Sequence, residues 1–484
     1  MLLFSGRCLH WSPVLASLSA FLFVLQVVAE PSIEASAVRE FEGWMSHHDK
    51  VYSSAGEREE RFQNWLQAYE RVRRHAHPHY SLGLNEMSDW SPEEHANRLR
   101  RQNRHGNHML GFNLVAGWRR RFKEEFGSNH PRIFDGRSDP PPPPEIDWGD
   151  EKRNPKRVHG VTRIRNQYYC GGCYSLGVVA AVEGVVAADR GFLNELSDEQ
   201  ILDCDRVNHG CEGGDPQQAL QYVMTEPLVL AADYPFNAGA GNVGECAAKQ
   251  APPASQIRSY LYVQPCDERV LMQAVARSPV VVAIDASCDA FLQYAGGVLS
   301  DSCVDVRLGT RAVDDVCEDA LNHAVAIVGY GTDEKTGLDY WIIKNSWGVT
   351  WGEKGFARVM RGESEATGWT TKCGLGCLEY YNFLPTGGVA FMNGTLQSDD
   401  DFLHGVEGTA SQAKENFRDM MLGLACALAV CLTILAAWGG QRQLRLINSQ
   451  DKESTVEDTG RANTFLREPL LQLEEEKKSN FVEN

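Results

Sequence analysis

The chain has no surplus of positive charge: its 484 residues carry a formal charge of -18. Nucleic-acid recognition needs a basic footprint to meet phosphates, so the balance argues against that class. There is no second Cys-x-x-Cys beside Cys170-Gly-Gly-Cys173, so a zinc site built on paired cysteines would lack half its ligands. No βαβ pattern precedes that pair, which argues against thioredoxin-type redox chemistry. No motif implies a metal or an organic cofactor. What is present is enough length for several units, and 43% hydrophobic residues to build a sizeable core.

Two stretches lack charge. The run from Val14 to Ala29 follows Arg7 and ends with small residues, Val27 and Ala29, before Glu30. It reads as a signal peptide over 1–29, with an uncleaved anchor as the alternative. Met420 to Gly440 holds no charged residue and, at about 1.5 Å of rise per residue, is long enough to span a bilayer. A buried soluble helix is rarely apolar on every face. Arg442 and Arg445 follow the span, whereas Lys414 and Arg418 are offset by Glu415 and Asp419. The bias predicts a type I protein with a cytosolic tail at 441–484. Of 14 cysteines, Cys8 lies in the leader and Cys426 and Cys431 in the span, leaving an odd number in the luminal part and one thiol unpaired.

Residues 35–99 are charge-rich and helical in pattern, with Phe41, Trp44 and Met45 on one helix face and an amphipathic stretch from Arg61 to Arg74. His47 and His48 read as solvated. Residues 100–144 read as an exposed, cleavable connector, marked by the basic runs RLRRQNR and WRRRFK and closed by a polyproline spacer, Pro140 to Pro144. From 145 to 385 the composition is that of a folded domain. Helices are predicted at Cys173–Asp189 and Ser197–Cys204, and strand-forming runs at 280–285, 323–331 and 340–348. Helices first and strands later imply an α+β fold in two lobes. Residues 386–419 are polar and carry a glycosylation sequon at Asn393, which suits a luminal stalk.

Chemistry concentrates in three places. Cys173 begins an apolar helix, where unpaired N–H groups and the backbone dipole favour a thiolate. His323 stands at a strand start in Leu321-Asn-His-Ala-Val325, and Asn345 lies in Lys344-Asn-Ser-Trp-Gly348. A thiolate paired with an imidazole that an amide orients is a machine for attacking carbonyl carbon.

On these segments the chain resembles the papain/cathepsin family of cysteine peptidases. Other matching stretches are Leu196-Ser-Asp-Glu-Gln200, Gly210-Cys-Glu-Gly-Gly214 and Tyr234-Pro-Phe236. The resemblance implies a two-lobed peptidase fold, with Cys173 as nucleophile, His323 as general base and acid, and Asn345 holding the imidazole under the shield of Trp347. It implies Gln167 as an oxyanion donor beside the Cys173 amide, and Gly213 and Gly214 as backbone against which a substrate strand lies. It assigns Pro216, Ala283, Ala324 and Leu378 to the pocket for the side chain two residues before the cut, an apolar lining that favours Leu, Val or Phe. It implies disulfides Cys170–Cys211, Cys204–Cys246 and Cys317–Cys373, with Cys303 a rival partner for Cys373; Cys266, Cys288, Cys303 and Cys377 have no settled counterpart.

Glu57, Arg61, Trp65 and Val72, then Gly83, Asn85, Met87 and Asp89, resemble the inhibitory pro-region of cathepsin L-like members, which implies a zymogen whose own pro-region lies backwards along the cleft. Gly172 stands where Ser or Ala is usual and Tyr174 where Trp is commonest. Tyr174, the CEGG stretch and GTDEKTGLDYW resemble the cathepsin C branch, so a dipeptidyl exopeptidase stays open beside an endopeptidase acting on proteins and peptides. A catalytically inactive peptidase-like ectodomain is the third reading. Because pro-segments of this family release on acidification, an endosomal, lysosomal or vacuolar membrane is the expected location, with the cell surface as the alternative. The segment 300–321 is inserted relative to papain.

Overall fold

The structure, a computed structural model, describes residues 33–99, 132–301, 321–362, 381–392 and 394–397. The helical pattern of the pro-region resolves into three pieces. Helix α1 (Ile33–His47) stops before a turn and α2 (Ala55–Arg74) restarts after Ser54, whose hydroxyl accepts the Glu57 amide at 3.1 Å. The Glu57 carboxylate in turn accepts the Ser53 amide, so this side chain helps set where α2 begins. A short strand, β1 (Tyr80–Leu82), precedes α3 (Pro92–Leu99), which Ser91 and Glu94 box in the same reciprocal way. Phe41, Trp44, Phe62 and Trp65 make a small aromatic core between α1 and α2. His48, read as solvated, instead packs its ring 5.2 Å from Trp44.

The connector is shorter than its composition suggests. Residues 132–147 belong to the peptidase domain: β2 (Ile133–Phe134) runs parallel to a long strand, and β3 (Ile146–Asp147) pairs antiparallel with another. Between them the polyproline backbone is held rather than free. Gln273 donates to the Pro140 carbonyl at 2.9 Å and the Tyr330 hydroxyl to that of Pro143 at 3.0 Å. A proline segment has few N–H groups to satisfy and offers its carbonyls, which side chains here take up.

Helix α4 (Cys173–Arg190) is buried along its whole length apart from Asp189, consistent with a helix apolar on every face. It ends at Gly191, whose φ of 76° is left-handed, a conformation that glycine adopts without a Cβ penalty. Helices α5 (Asp198–Cys204) and α6 (Pro216–Thr225) complete the helical lobe. The other lobe is a sheet built from β4 (Leu228–Val229), β5 (Pro253–Val263), β6 (Val280–Ile284), β7 (Tyr294–Leu299), β8 (His323–Thr332), β9 (Asp339–Lys344), β10 (Phe356–Met360) and β11 (Asn382–Met392), with α7 (Glu268–Arg277) and α8 (Asp289–Leu292) between strands. The main path runs β1-β7-β10-β9-β8-β6-β11-β5-β2, so the pro-region supplies an edge strand, with Tyr80 opposite Gly297. The strand-forming run 340–348 ends at Lys344, because Asn345 to Gly348 turn away to bridge Asn166 with Trp347.

Two apolar cores flank the boundary between lobes, one under the helices and one under the sheet. Met87, Trp90 and Leu99 of the pro-region join the second. Among the described residues no helix is long and apolar enough to cross a membrane; the 420–440 span lies outside them.

Candidate active site

Cys173 opens α4 and His323 opens β8, and a glycine lets these two elements meet. A Cβ on Gly177, one turn into α4, would lie 3.4 Å from the Ala324 carbonyl carbon and the Val325 nitrogen. The helix therefore rides directly on the start of the strand, and the Ala324 amide faces the Cys173 sulfur. Cys173 is the free cysteine among the described residues.

His323 Nε2 lies 2.7 Å from Asn345 Oδ1, which fixes the ring; Nδ1 is buried and has no hydrogen-bond partner. Trp347 lies over the imidazole with ring centroids 4.8 Å apart, and Phe291 stands edge-on to Trp347 at 5.3 Å. These rings keep water from the His323–Asn345 bond, and a bond in a low-dielectric site orients more firmly. Gln167 is fully buried. Its Oε1 accepts from Ser346 Oγ at 2.7 Å, and its Nε2 donates to the Cys170 carbonyl at 2.9 Å with a second N–H to spare.

Gly213, with φ 108°, occupies backbone space closed to other residues. A Cβ on Gly214 would meet Asn208 Oδ1 at 2.5 Å and the Tyr174 ring at 2.8 Å. Pro216 starts α6, and Ala283 and Ala324 face one another across β6 and β8, all buried. The two unusual residues have local reasons. A Cβ on Gly172 would come within 3.0 Å of Leu202, and the buried Tyr174 hydroxyl donates to the Gly210 carbonyl at 3.3 Å. Disulfides join Cys170 to Cys211 and Cys204 to Cys246, and Cys266 and Cys288 are also disulfide-bonded. Leu378, the Cys317–Cys373 pair, Cys303, Cys377, Asn393 and most of segment 300–321 lie outside the described residues.

The pro-region closes this site. Asn85 Nδ2 donates to the Leu292 carbonyl at 2.9 Å, and Ser88 Oγ to Gln293 at 3.0 Å. Asp89 gathers Lys50 at 3.1 Å and the Tyr52 hydroxyl at 2.9 Å, while Arg61 grips Glu94 with two bonds. Those contacts are why the motif residues Arg61, Asn85 and Asp89 stand where they do. Arg98, near the end of the 35–99 pro-region and first in the run RLRRQNR, is buried against Trp347. Under this cover, burial pushes the Cys173 thiol up to about 11, against the pull of the Ala324 and Tyr174 amides and Arg98. Burial likewise drives His323 down to about 3, which Asn345 opposes and Arg98 reinforces. In both groups burial works against the charged form.

A buried ionic lattice escaped the sequence reading. Arg165 reaches Asp198 at 3.0 Å and also Glu183, while Lys344 donates to Thr162 at 2.7 Å beside Glu183. Burial works against the Arg165 charge, but Asp198 and Glu183 outweigh it and keep the guanidinium protonated. Arg165 and Lys344 are two residues before Gln167 and one before Asn345, so the lattice anchors both site segments. Glu183 interrupting an otherwise apolar helix was the one available signal.

A model of the papain family cysteine protease matches residues 142–381, and one of the cathepsin propeptide inhibitor domain matches 41–95. Fruit bromelain from Ananas comosus is 32% identical over 381 residues, 76% of this chain and 95% of that one. Papain from Carica papaya is 30% identical, covering 70% and 85%. Among solved structures, a recombinant stem bromelain precursor superposes with a TM-score of 0.54 at 26% identity, covering 73% of this chain and 99% of that one. Digestive procathepsin L 3 of Tenebrio molitor larval midgut gives 0.55 at 27%, covering 72% and 99%.

Proposed function

This chain belongs to the papain family of cysteine proteases, and on that premise we propose that Cys173, His323 and Asn345 are its catalytic residues, on a precursor anchored in a membrane by residues 420–440. It is a papain-like cysteine endopeptidase carrying an inhibitory propeptide. The observation that carries the assignment is the ring of His323, tied through Nε2 to Asn345 at 2.7 Å with Nδ1 buried and unpartnered at the strand start that faces the Cys173 sulfur.

Departure of the pro-region lets water reach the sulfur and the ring, and the burial penalty on both charged forms falls. The thiol proton passes to His323 Nδ1. The thiolate attacks the peptide carbonyl, and the developing oxyanion is met by the Cys173 amide and the spare N–H of Gln167. The imidazolium protonates the leaving amine as the C–N bond breaks, leaving a thioester. Water, deprotonated by the same imidazole, then attacks the thioester and releases the acid and the thiol. Pro216, Ala283 and Ala324, with Leu378, form an apolar subsite for Leu, Val or Phe two residues before the cut.

The catalytic part faces the lumen of an endosomal, lysosomal or vacuolar compartment, with the sequon at Asn393 in its stalk. An epoxide that alkylates active thiolates should label the matured enzyme at Cys173, and Cys173→Ala should abolish labelling and lower kcat by at least ~10⁴-fold. Labelling elsewhere, with turnover surviving in Cys173→Ala, would overturn the assignment. Alkaline extraction should leave the full chain with membranes and release a chain truncated at 419; release of both would remove the anchor.

A further inference from the structure

Four flat groups are stacked beside the site, in the order Trp347, Arg98, Trp90, Tyr169. The Arg98 guanidinium carbon is 4.9 Å from the Trp347 ring centre and 5.2 Å from that of Trp90, and Trp90 lies 4.6 Å from Tyr169 at an interplanar angle of 11°. The outer members belong to the peptidase domain and the inner two to the pro-region. Arg98 Nη2 donates to Asn166 Oδ1 at 3.3 Å and reaches the Ser346 carbonyl at 3.5 Å, while Nη1 touches the Met87 sulfur. Among the described residues no carboxylate stands within ion-pair distance of this buried arginine, and its Nε has no acceptor. A buried guanidinium is costly, and the charge of Glu86, whose carboxylate accepts from Asn166 Nδ2, together with stacking of a planar, weakly hydrated cation on indole faces offsets the cost.

Much of what receives Arg98 is permanent. When the pro-region leaves, Trp90 and Met87 go with it, but Trp347, Asn166 Oδ1 and the Ser346 carbonyl stay. Their place along a substrate follows from the imidazole. His323 gives its proton to the leaving nitrogen, and Trp347 lies against that ring. The peptide beyond the leaving nitrogen therefore runs over Trp347, away from Gly213 and Gly214.

We propose that the mature enzyme has an arginine-selective subsite for the first residue after the cut, floored by Trp347, with Asn166 Oδ1 and the Ser346 carbonyl as acceptors. In the zymogen Arg98 fills it. The proposal rests on Cys173 being the nucleophile. Lysine suits the slot less, because a compact, strongly hydrated ammonium does not lie flat on an indole.

Internally quenched peptides with leucine two residues before the cut, and Arg, Lys, Ala or Glu just after it, would test this on matured enzyme titrated with the epoxide. Arginine should exceed alanine about 10-fold in kcat/KM, with lysine between and glutamate lowest. The Asn166→Ala variant, which removes one of the two acceptors, should lower the arginine-to-alanine ratio several-fold. An independent readout needs no variant: the thioester, offered argininamide or alaninamide as the attacking amine in place of water, should form the new peptide bond faster with argininamide by a similar factor. Labelling at Cys173 with a flat or acid-preferring profile and no argininamide preference would overturn the subsite and leave the nucleophile standing. Failure to label would overturn both.

Discussion

The pro-region and the peptidase domain are held together by different forces. The pro-region has no cysteine between residues 33 and 99 and a small core of four stacked aromatics, and it grips the cleft through side-chain hydrogen bonds and partly exposed ion pairs. It also collects histidines: His75, His77 and His79 crowd one another beside Asp301, and His95 is half-buried near Arg98. The peptidase domain instead has two apolar cores, disulfides and a charge lattice sealed from water. Ion pairs at a surface contribute little and histidines change charge between pH 5 and 8, so one part is built to stay and the other to leave.

The sharpest way to break this contrast is to open the sealed lattice. Arg165→Ala leaves Glu183 and Asp198 facing each other in the interior, with an expected loss of about 3–5 kcal/mol. Chemical denaturation of the matured domain checks it, and a loss below about 1 kcal/mol would mean that the lattice is no firmer than a surface pair. Next, Gln167→Ala separates chemistry from stability within the permanent part. Removing an oxyanion donor should lower kcat about 10²–10³-fold, or roughly 2.7–4 kcal/mol, with KM little changed; a KM effect alone would move Gln167 from the transition state to substrate binding.

The smallest effect concerns the part that leaves. Burial pushes docked His95 down to about 4, Arg98 adding to the fall and Glu94 opposing it, while the free side chain titrates near 6.5. Between those values an unfolded pro-region binds a proton that the folded one does not, so the fold that covers the cleft weakens as pH falls through that window and is unaffected above it. His95→Asn should therefore lower the midpoint pH of precursor activation, by a few tenths of a unit as an order of magnitude. A midpoint that stays or rises removes His95 from the release. His48, also brought down to about 4 by burial, adds in the same direction.

Legibility in the sequence followed locality. Cys173, His323 and Asn345 each sit in a short segment whose composition suggests the role proposed for it, and the α+β order is plain from where helices give way to strands. The hidden features depend on what lies across a gap. Arg98 is one charge in a basic run until Trp347 and Trp90 are placed on either side of it. Arg165, Glu183 and Lys344 are far apart in sequence, and their charges look like surface until α4 packs against the sheet. The polyproline stretch looks like a spacer because its carbonyl partners, Gln273 and Tyr330, come from much later in the chain.

That docked stretch bears on how the enzyme matures. Residues 132–147 are stitched to β5 and β8, and Asp139 is paired with Arg277 on α7. A scissor acting anywhere between 100 and 131 would leave a new end already moored to the finished domain, whatever ragged overhang it carried. Accuracy at that cut is not required of whichever protease makes it.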